Sequence, residues 1–176
     1  MYQPFLVFLL KFVLTYIVLT AVYQFYLSKF EGEHTTPDSF TILVSDQSEW
    51  LVKKLGYDAE TCLKAGDNFT RFVVDNRYVA RVIEGCNALS VMILFVAFVI
   101  AFKGKLLTTL NFCVSGVIII HILNIIRIAL LVIGLRYYPE YKILMHDIVF
   151  PLFIYGVVFL LWIFWVNKFS IHGAKK

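Results

Sequence analysis

The stretch from Leu106 to Leu135 constrains the fold more than any other part of the chain, because its 30 residues are mostly apolar and contain no acidic side chain. At about 1.5 Å of rise per residue, one helix of this length would be about 45 Å long, more than the roughly 30 Å hydrocarbon core of a bilayer requires. We favour a single tilted helix that projects from the membrane over two helices interrupted near Ser115 and Gly116. The stretch predicts an integral membrane protein, and the composition agrees, since 60% of the 176 residues are hydrophobic.

Three other apolar runs complete a four-helix pattern. Residues 5–27 carry one charge, Lys11, and their length and lack of a small-x-small cleavage site favour a retained helix over a signal peptide. The run from Ala88 to Phe102 reaches a sufficient length only if Cys86 and Asn87 start the helix. The sequence therefore predicts an all-α membrane protein, one membrane domain over residues 1–176, with transmembrane helices at 5–27, 87–102, 106–135 and 148–166.

Residues 29–85 form the polar segment between the first two helices and the only stretch able to fold outside the membrane. Pro37-Asp38-Ser39 supplies a helix start and Gly56 a stop, with apolar residues at helical spacing between them. We expect this amphipathic helix to lie against the protein's own bundle or the lipid surface rather than to have a dedicated binding role. Asp75-Asn76 tolerates the positive φ of a tight turn, so a β-hairpin is expected before Glu84-Gly85-Cys86.

The distribution of cations predicts the orientation in the membrane. In a four-helix topology, five lysines lie on one side with no acid beside them, which places that side in the cytoplasm. They are Lys103, Lys105, Lys168, Lys175 and Lys176. Both termini are then cytoplasmic, and the segment 29–85 is extracytoplasmic.

The remaining composition excludes several classes of function. No basic stripe with interleaved aromatic residues is present, so nothing in the sequence indicates a nucleic-acid partner. The cysteines Cys62, Cys86 and Cys113 form neither a CxxC pair nor a zinc-ligand spacing. We therefore expect no metal site and no cofactor.

Arg127 is the residue that most strongly indicates a functional site. A guanidinium inside a membrane-length apolar run costs about 2.5–3.5 kcal/mol, so it needs a partner or a task. Asn124 lies three residues earlier, and residues three apart share one face of a helix. The polar atoms of both side chains are therefore expected to point into one interior.

Cys86, Arg127 and His146 are predicted to lie at one level. Measured from the cytoplasmic lysines at about 1.5 Å per residue, the heights are about 25 Å, 33 Å and 32 Å respectively. Three different helices would thus bring a thiol, a guanidinium and an imidazole together near the outer face. These groups are the parts required for acyl transfer by a cysteine nucleophile.

Each predicted site residue suits its role for a physical reason. At a helix start, the helix dipole would favour the thiolate of Cys86. His146 can take the thiol proton and return it to a leaving amine, while Arg127, which stays protonated, can hold an oxyanion. We read Asp147 as a helix cap rather than as an imidazole orienter, because adjacent residues do not face one another on an α-helix.

Other interpretations stay open on the residues alone. Arg127 could be a structural ion-pair partner of Glu84 or Asp147. The chain could be a membrane thiol oxidoreductase using Cys62 and Cys86, or a non-catalytic scaffold subunit.

The order of three motifs resembles the exosortase and archaeosortase family of multi-pass membrane cysteine transpeptidases. The motifs are Gly85-Cys86, the Asn-x-x-Arg of Asn124 to Arg127, and His146-Asp147, within a segment from about Val79 to Phe164. The short length resembles the type called exosortase F. One departure is Asn87-Ala88, where many members have Ser-Gly after the cysteine.

The resemblance implies a reaction and a location. Substrates would be secreted proteins with a C-terminal sorting signal made of a short motif, a membrane helix and a basic tail. Cleavage through a thioester at Cys86 would be followed by transfer to an acceptor that the sequence does not identify. The enzyme would be a multi-pass protein of the bacterial inner membrane, with its active site near the outer face.

Overall fold

The computed structural model describes residues 3–30, 36–64 and 66–169, so Lys175, Lys176 and parts of the predicted polar segment lie outside the described residues. It contains five α-helices and three strands: α1 (Gln3–Leu27), α2 (Ser39–Lys54), β1 (Ala59–Cys62), β2 (Thr70–Val74), β3 (Arg77–Val82), α3 (Leu89–Ala101), α4 (Leu106–Tyr137) and α5 (Phe150–Lys168). The chain divides into two compact units, Met1–Phe25 with Leu89–Ile120 and Tyr155–Lys176, and Tyr26–Ala88 with His121–Ile154. Helices α1, α4 and α5 each contribute residues to both.

Three of the four predicted spans are long and apolar enough to cross a membrane: α1, α4 and the continuous segment Leu144–Lys168. The predicted span at 87–102 is a helix of only 13 residues, α3, so four spans are not confirmed. The expectation that Cys86 and Asn87 start this helix is wrong. Cys86 lies in the 3-10 turn Glu84–Cys86, and Ala88, with φ +64°, cannot belong to a right-handed helix.

Helix α4 is continuous over 32 residues, which confirms the single-helix expectation. No interruption occurs at Ser115 or Gly116. Gly116 is instead a packing position, since a Cβ there would overlap the ring of Phe95. The glycine lets an aromatic ring lie directly on the helix backbone.

Aromatic rings hold the first unit together. The ring of Phe98 stacks on Trp162 at 4.3 Å between centroids and lies 5.7 Å from the ring of Phe8. Phe112 stacks on Trp165, which is fully buried, at 4.8 Å. Such contacts join helices in a membrane, where lipid removes the hydrophobic driving force between them.

The predicted amphipathic helix is confirmed as α2. The side chain of Asp38 caps it by accepting hydrogen bonds from the backbone N–H groups of Phe40 and Thr41, and Gly56 follows it with φ +93°. Its apolar side packs on its own unit: Val44 and Val52 are fully buried in one core with the sheet and α4. That core also contains Ala59, Phe72, Val74, Val82, Ile128, Ala129 and Val132.

Glu49 fastens α2 to the sheet. Its carboxylate accepts a 2.7 Å hydrogen bond from the backbone N–H of Thr61 in β1 and a 2.6 Å bond from Lys53 Nζ. Burial acts to raise the pKa of Glu49, but the hydrogen bonds from Lys53 and Thr61 outweigh burial, so its pKa lies below the ordinary carboxyl value. The charged form of Glu49 therefore contributes to stability.

The predicted hairpin is confirmed, and a third strand adds to it. Asp75 and Asn76, at φ 48° and 58°, form the tight turn between β2 and β3. The short strand β1, which the sequence did not predict, pairs antiparallel with β2 and gives the order β1-β2-β3. Strand β3 is therefore an edge strand, and it leads directly into the turn that carries Cys86.

Candidate active site

Cys86 lies in a short turn that the buried side-chain amides of Asn87 and Asn124 hold in place. Its backbone N–H donates a 2.8 Å hydrogen bond to the carbonyl of Ile83, and its side chain is partly exposed. The next residue, Asn87, is 1% exposed and donates from Nδ2 to Thr41 Oγ1 at 3.0 Å. Cys86 therefore lies three residues before the first residue of α3 rather than at its start, where the helix-dipole argument had placed it.

Asn124 joins the backbone of Cys86 to the guanidinium of Arg127. Its fully buried amide donates from Nδ2 to the Cys86 carbonyl at 2.8 Å and accepts from Arg127 Nη1 at 3.1 Å. The expectation that Asn124 and Arg127 share one helix face is confirmed. Arg127 is 8% exposed, so its charge is held within the protein.

His146 is carried by a π-helical segment, Leu144–Val149, that runs into α5. Its Nδ1 lies 2.6 Å from Asp147 Oδ1, and both side chains are exposed. The interpretation of Asp147 as a helix cap is wrong, because the segment begins after Ile143 and Asp147 lies inside it. A π-helix has more residues per turn than an α-helix, so the side chains of neighbouring residues such as His146 and Asp147 diverge less. In the tautomer with the proton on Nδ1, Asp147 accepts this bond and Nε2 is available as a base.

One cavity of about 360 Å³ is lined by Cys86, Arg127 and His146 together. A loop turn, a helix and a π-helical segment thus bring the three predicted catalytic groups to one space. The other residues around it are Tyr78, Val79, Ala80, Arg81, Val82, Ile83, Ile128, Leu131, Val132, Leu135 and Lys142. Two larger cavities, of about 550 and 380 Å³, contain none of the predicted site residues, so volume does not identify the site here.

Two residues that contact the neighbours of the predicted site residues were not predicted from the sequence. A Cβ on Gly134 would lie 2.9 Å from Met145 Sδ, so the glycine allows the residue before His146 to approach α4 closely. Thr41 supports Asn87, but a threonine in an amphipathic helix carries no signal that could have marked it. Within residues 3–30, 36–64 and 66–169, no group of three His, Cys, Asp or Glu side chains could hold a metal ion.

Comparison with known families gives one result. A family model described as transmembrane exosortase matches residues 4–167, which is most of the chain and includes every predicted site residue. The match does not distinguish the exosortase F type. No curated protein sequence and no solved structure matches significantly.

Proposed function

Because the chain belongs to the transmembrane exosortase family, we propose that it is a cysteine transpeptidase that cleaves C-terminal sorting signals of secreted proteins through a thioester. The observation that carries this proposal is the single cavity lined by a thiol, an imidazole and a guanidinium. Family membership supplies the class of reaction, and the cavity supplies the residues that would perform it.

In the first half-reaction, His146 takes the proton of the Cys86 thiol, and the sulfur attacks the scissile carbonyl carbon. The tetrahedral intermediate collapses as the C–N bond breaks, and His146 returns the proton to the leaving amine. The Asp147 carboxylate, 2.6 Å from Nδ1, orients the ring and stabilises the imidazolium. A thioester then joins Cys86 to the secreted protein.

In the second half-reaction, an acceptor nucleophile attacks the thioester carbonyl and the thiolate leaves. The acceptor's proton passes to His146, which gives it to the Cys86 thiolate, and the enzyme returns to its starting state. In both halves a negative charge develops on the carbonyl oxygen, and Arg127 would stabilise it from a buried position. Asn124 keeps this guanidinium at a fixed place relative to the nucleophile's backbone.

The proposed setting is a bacterial inner membrane with the site near the outer face. The apolar helices and the family support a membrane protein, and the lysine distribution supports cytoplasmic ends for the spans. The substrate's sorting signal would place its membrane helix in the bilayer and its motif at the site.

The cavity favours this reaction over thiol redox exchange. Redox exchange requires two thiols that can meet. Of the three cysteines, all of them described and free, only Cys86 lines the cavity, while Cys62 lies in β1 and Cys113 in α4.

The experiment combines thioester trapping with matched substitutions. A secreted protein with a sorting signal is co-expressed, and mass spectrometry looks for its acyl group on Cys86. Cys86→Ala, His146→Ala and Arg127→Ala should each abolish processing, whereas Cys62→Ala and Cys113→Ala should not. Normal processing by the first three variants would leave only a scaffold role, and damage from Cys62→Ala equal to that from Cys86→Ala would favour the oxidoreductase.

A further inference from the structure

The catalytic cavity runs along the edge of the sheet. Five consecutive residues of β3, Tyr78 to Val82, line it. Successive side chains of a strand point to opposite faces, so a cavity over one face would meet only every second residue. A β-bulge at Val79 interrupts this alternation between Tyr78 and Ala80. Ala80, Arg81 and Val82 follow in regular register, and contact with all three places the cavity at the side of the strand, where the backbone groups point outward.

This side of β3 is open to another strand. Among the residues that the structure describes, β2 is the strand that pairs with β3, and it occupies the opposite edge. The outer edge of such a strand presents a row of N–H and C=O groups that can pair with an extended chain. Proteins usually shield such an edge, whereas here it borders the space that contains Cys86.

Apolar residues of α4 also line the cavity. Ile128, Leu131, Val132 and Leu135 recur at spacings of three and four residues, which aligns them on one helix face. Ile128 and Val132 belong to the core shared with the sheet, so Leu131 and Leu135, each less than a tenth exposed, supply the apolar surface at the cavity. The cavity therefore offers backbone hydrogen bonds on one side and apolar contact on the other. An extended peptide needs both, since its backbone groups and its alternate side chains point in different directions.

We propose that the sorting motif of the substrate binds as an added strand along the open edge of β3, with alternate side chains against Leu131 and Leu135 of α4 and its scissile carbonyl at Cys86. This inference rests on the proposed function and states how its substrate is recognised. At about 3.3 Å per residue, the five residues of β3 that line the cavity span about 16 Å, so the edge can pair with about five residues of substrate.

If the motif binds as an added strand, the enzyme recognises both its backbone and some of its side chains. Main-chain hydrogen bonds supply much of the affinity, and pockets for alternate side chains supply specificity. The motif is therefore selective at every second position and tolerant between them. The competing interpretation is that Arg77 and Arg81 merely shield a solvated edge, which predicts no dependence on the substrate's backbone.

The test is a scan of amide-to-ester replacements in the substrate. The probes are synthetic peptides that cover the segment captured as the thioester at Cys86, each with one backbone N–H replaced by oxygen. Their binding to the full-length Cys86→Ala protein in detergent is measured, so that cleavage does not interfere. Esters at alternate positions of the motif should weaken binding by about fivefold to tenfold, because only alternate N–H groups of an added strand face its neighbour.

Controls separate this inference from the proposed function. Esters at residues of the same peptides that precede the motif should leave binding unchanged. Hydrogen exchange of backbone amides in β3 should slow when the unmodified peptide binds, while exchange in β1 should not. A uniform or absent ester effect, with the thioester at Cys86 still forming, overturns strand addition alone, and the absence of any thioester overturns both.

Discussion

The amide of Asn124 touches both the backbone of Cys86, the proposed nucleophile, and the guanidinium of Arg127, so its removal tests the geometry of the whole site. In Asn124→Ala, the Cys86 carbonyl loses a 2.8 Å hydrogen bond and Arg127 loses a 3.1 Å one. A neutral hydrogen bond contributes about 0.5–1.5 kcal/mol and one to a charged group about 1.5–3 kcal/mol, so the combined loss is about 2–4.5 kcal/mol. If half of this loss is expressed in the transition state, kcat/KM falls about 5- to 45-fold.

The assay is the rate of thioester formation at Cys86, measured beside chemical unfolding in detergent. Asn111→Ala is the matched control, because it makes the same substitution at an exposed position of the same helix. We expect Asn124→Ala to lose both rate and stability, and Asn111→Ala to lose neither. Equal rates in the two variants would refute the reasoning that Asn124 positions the nucleophile and Arg127.

Three further substitutions test the supports of the site. Ala88→Gly should raise the free energy of unfolding by about 0.5–1 kcal/mol in a denaturant titration, because glycine adopts φ +64° without the penalty that an alanine incurs; an unchanged midpoint would contradict this. Gly134→Ala should displace Met145 and slow processing, at a stability cost of about 1 kcal/mol, whereas Gly156→Ala, where a Cβ meets nothing within 4 Å, should not. Glu49→Gln should lower stability by about 1–2 kcal/mol at neutral pH. Because the pKa of Glu49 is lowered, this difference should be complete above the ordinary carboxyl pKa of about 4.3 and should vanish as the pH falls through the lowered value; a difference that persists in acid would exclude the charge as its cause.

Local chemistry made most of the polar segment predictable. The Asp38 cap, the Gly56 stop and the Asp75-Asn76 turn each depend on a residue's own backbone preferences, and all three occur where the sequence places them. The start of α3 was not predictable in this way. Its position depends on Ala88, whose left-handed backbone follows a side chain, Asn87, that is held by a residue 46 positions earlier in the chain.

Within the candidate site, too, some contacts could be predicted from the sequence and others could not. A polar side chain in an apolar run must face an interior, so the shared face of Asn124 and Arg127 follows from their spacing. The contact between His146 and Asp147 does not, because spacing rules for an α-helix were applied to a segment that is π-helical. The role of β3 in lining the cavity could not be predicted either. The alternation of apolar and polar residues indicates which face of a strand is buried, but not which edge is paired.

The polar segment and α4 share the core described above, so we expect that the segment cannot fold without this helix. Phe72 and Val74 of the sheet are fully buried in a cluster that needs Ile128 and Val132 of α4 to complete it. An excised fragment of residues 29–85 would leave that apolar surface in water, and we expect it to aggregate rather than fold as a soluble domain. Antibodies or inhibitors aimed at this region therefore have to be raised against the whole chain in detergent or lipid.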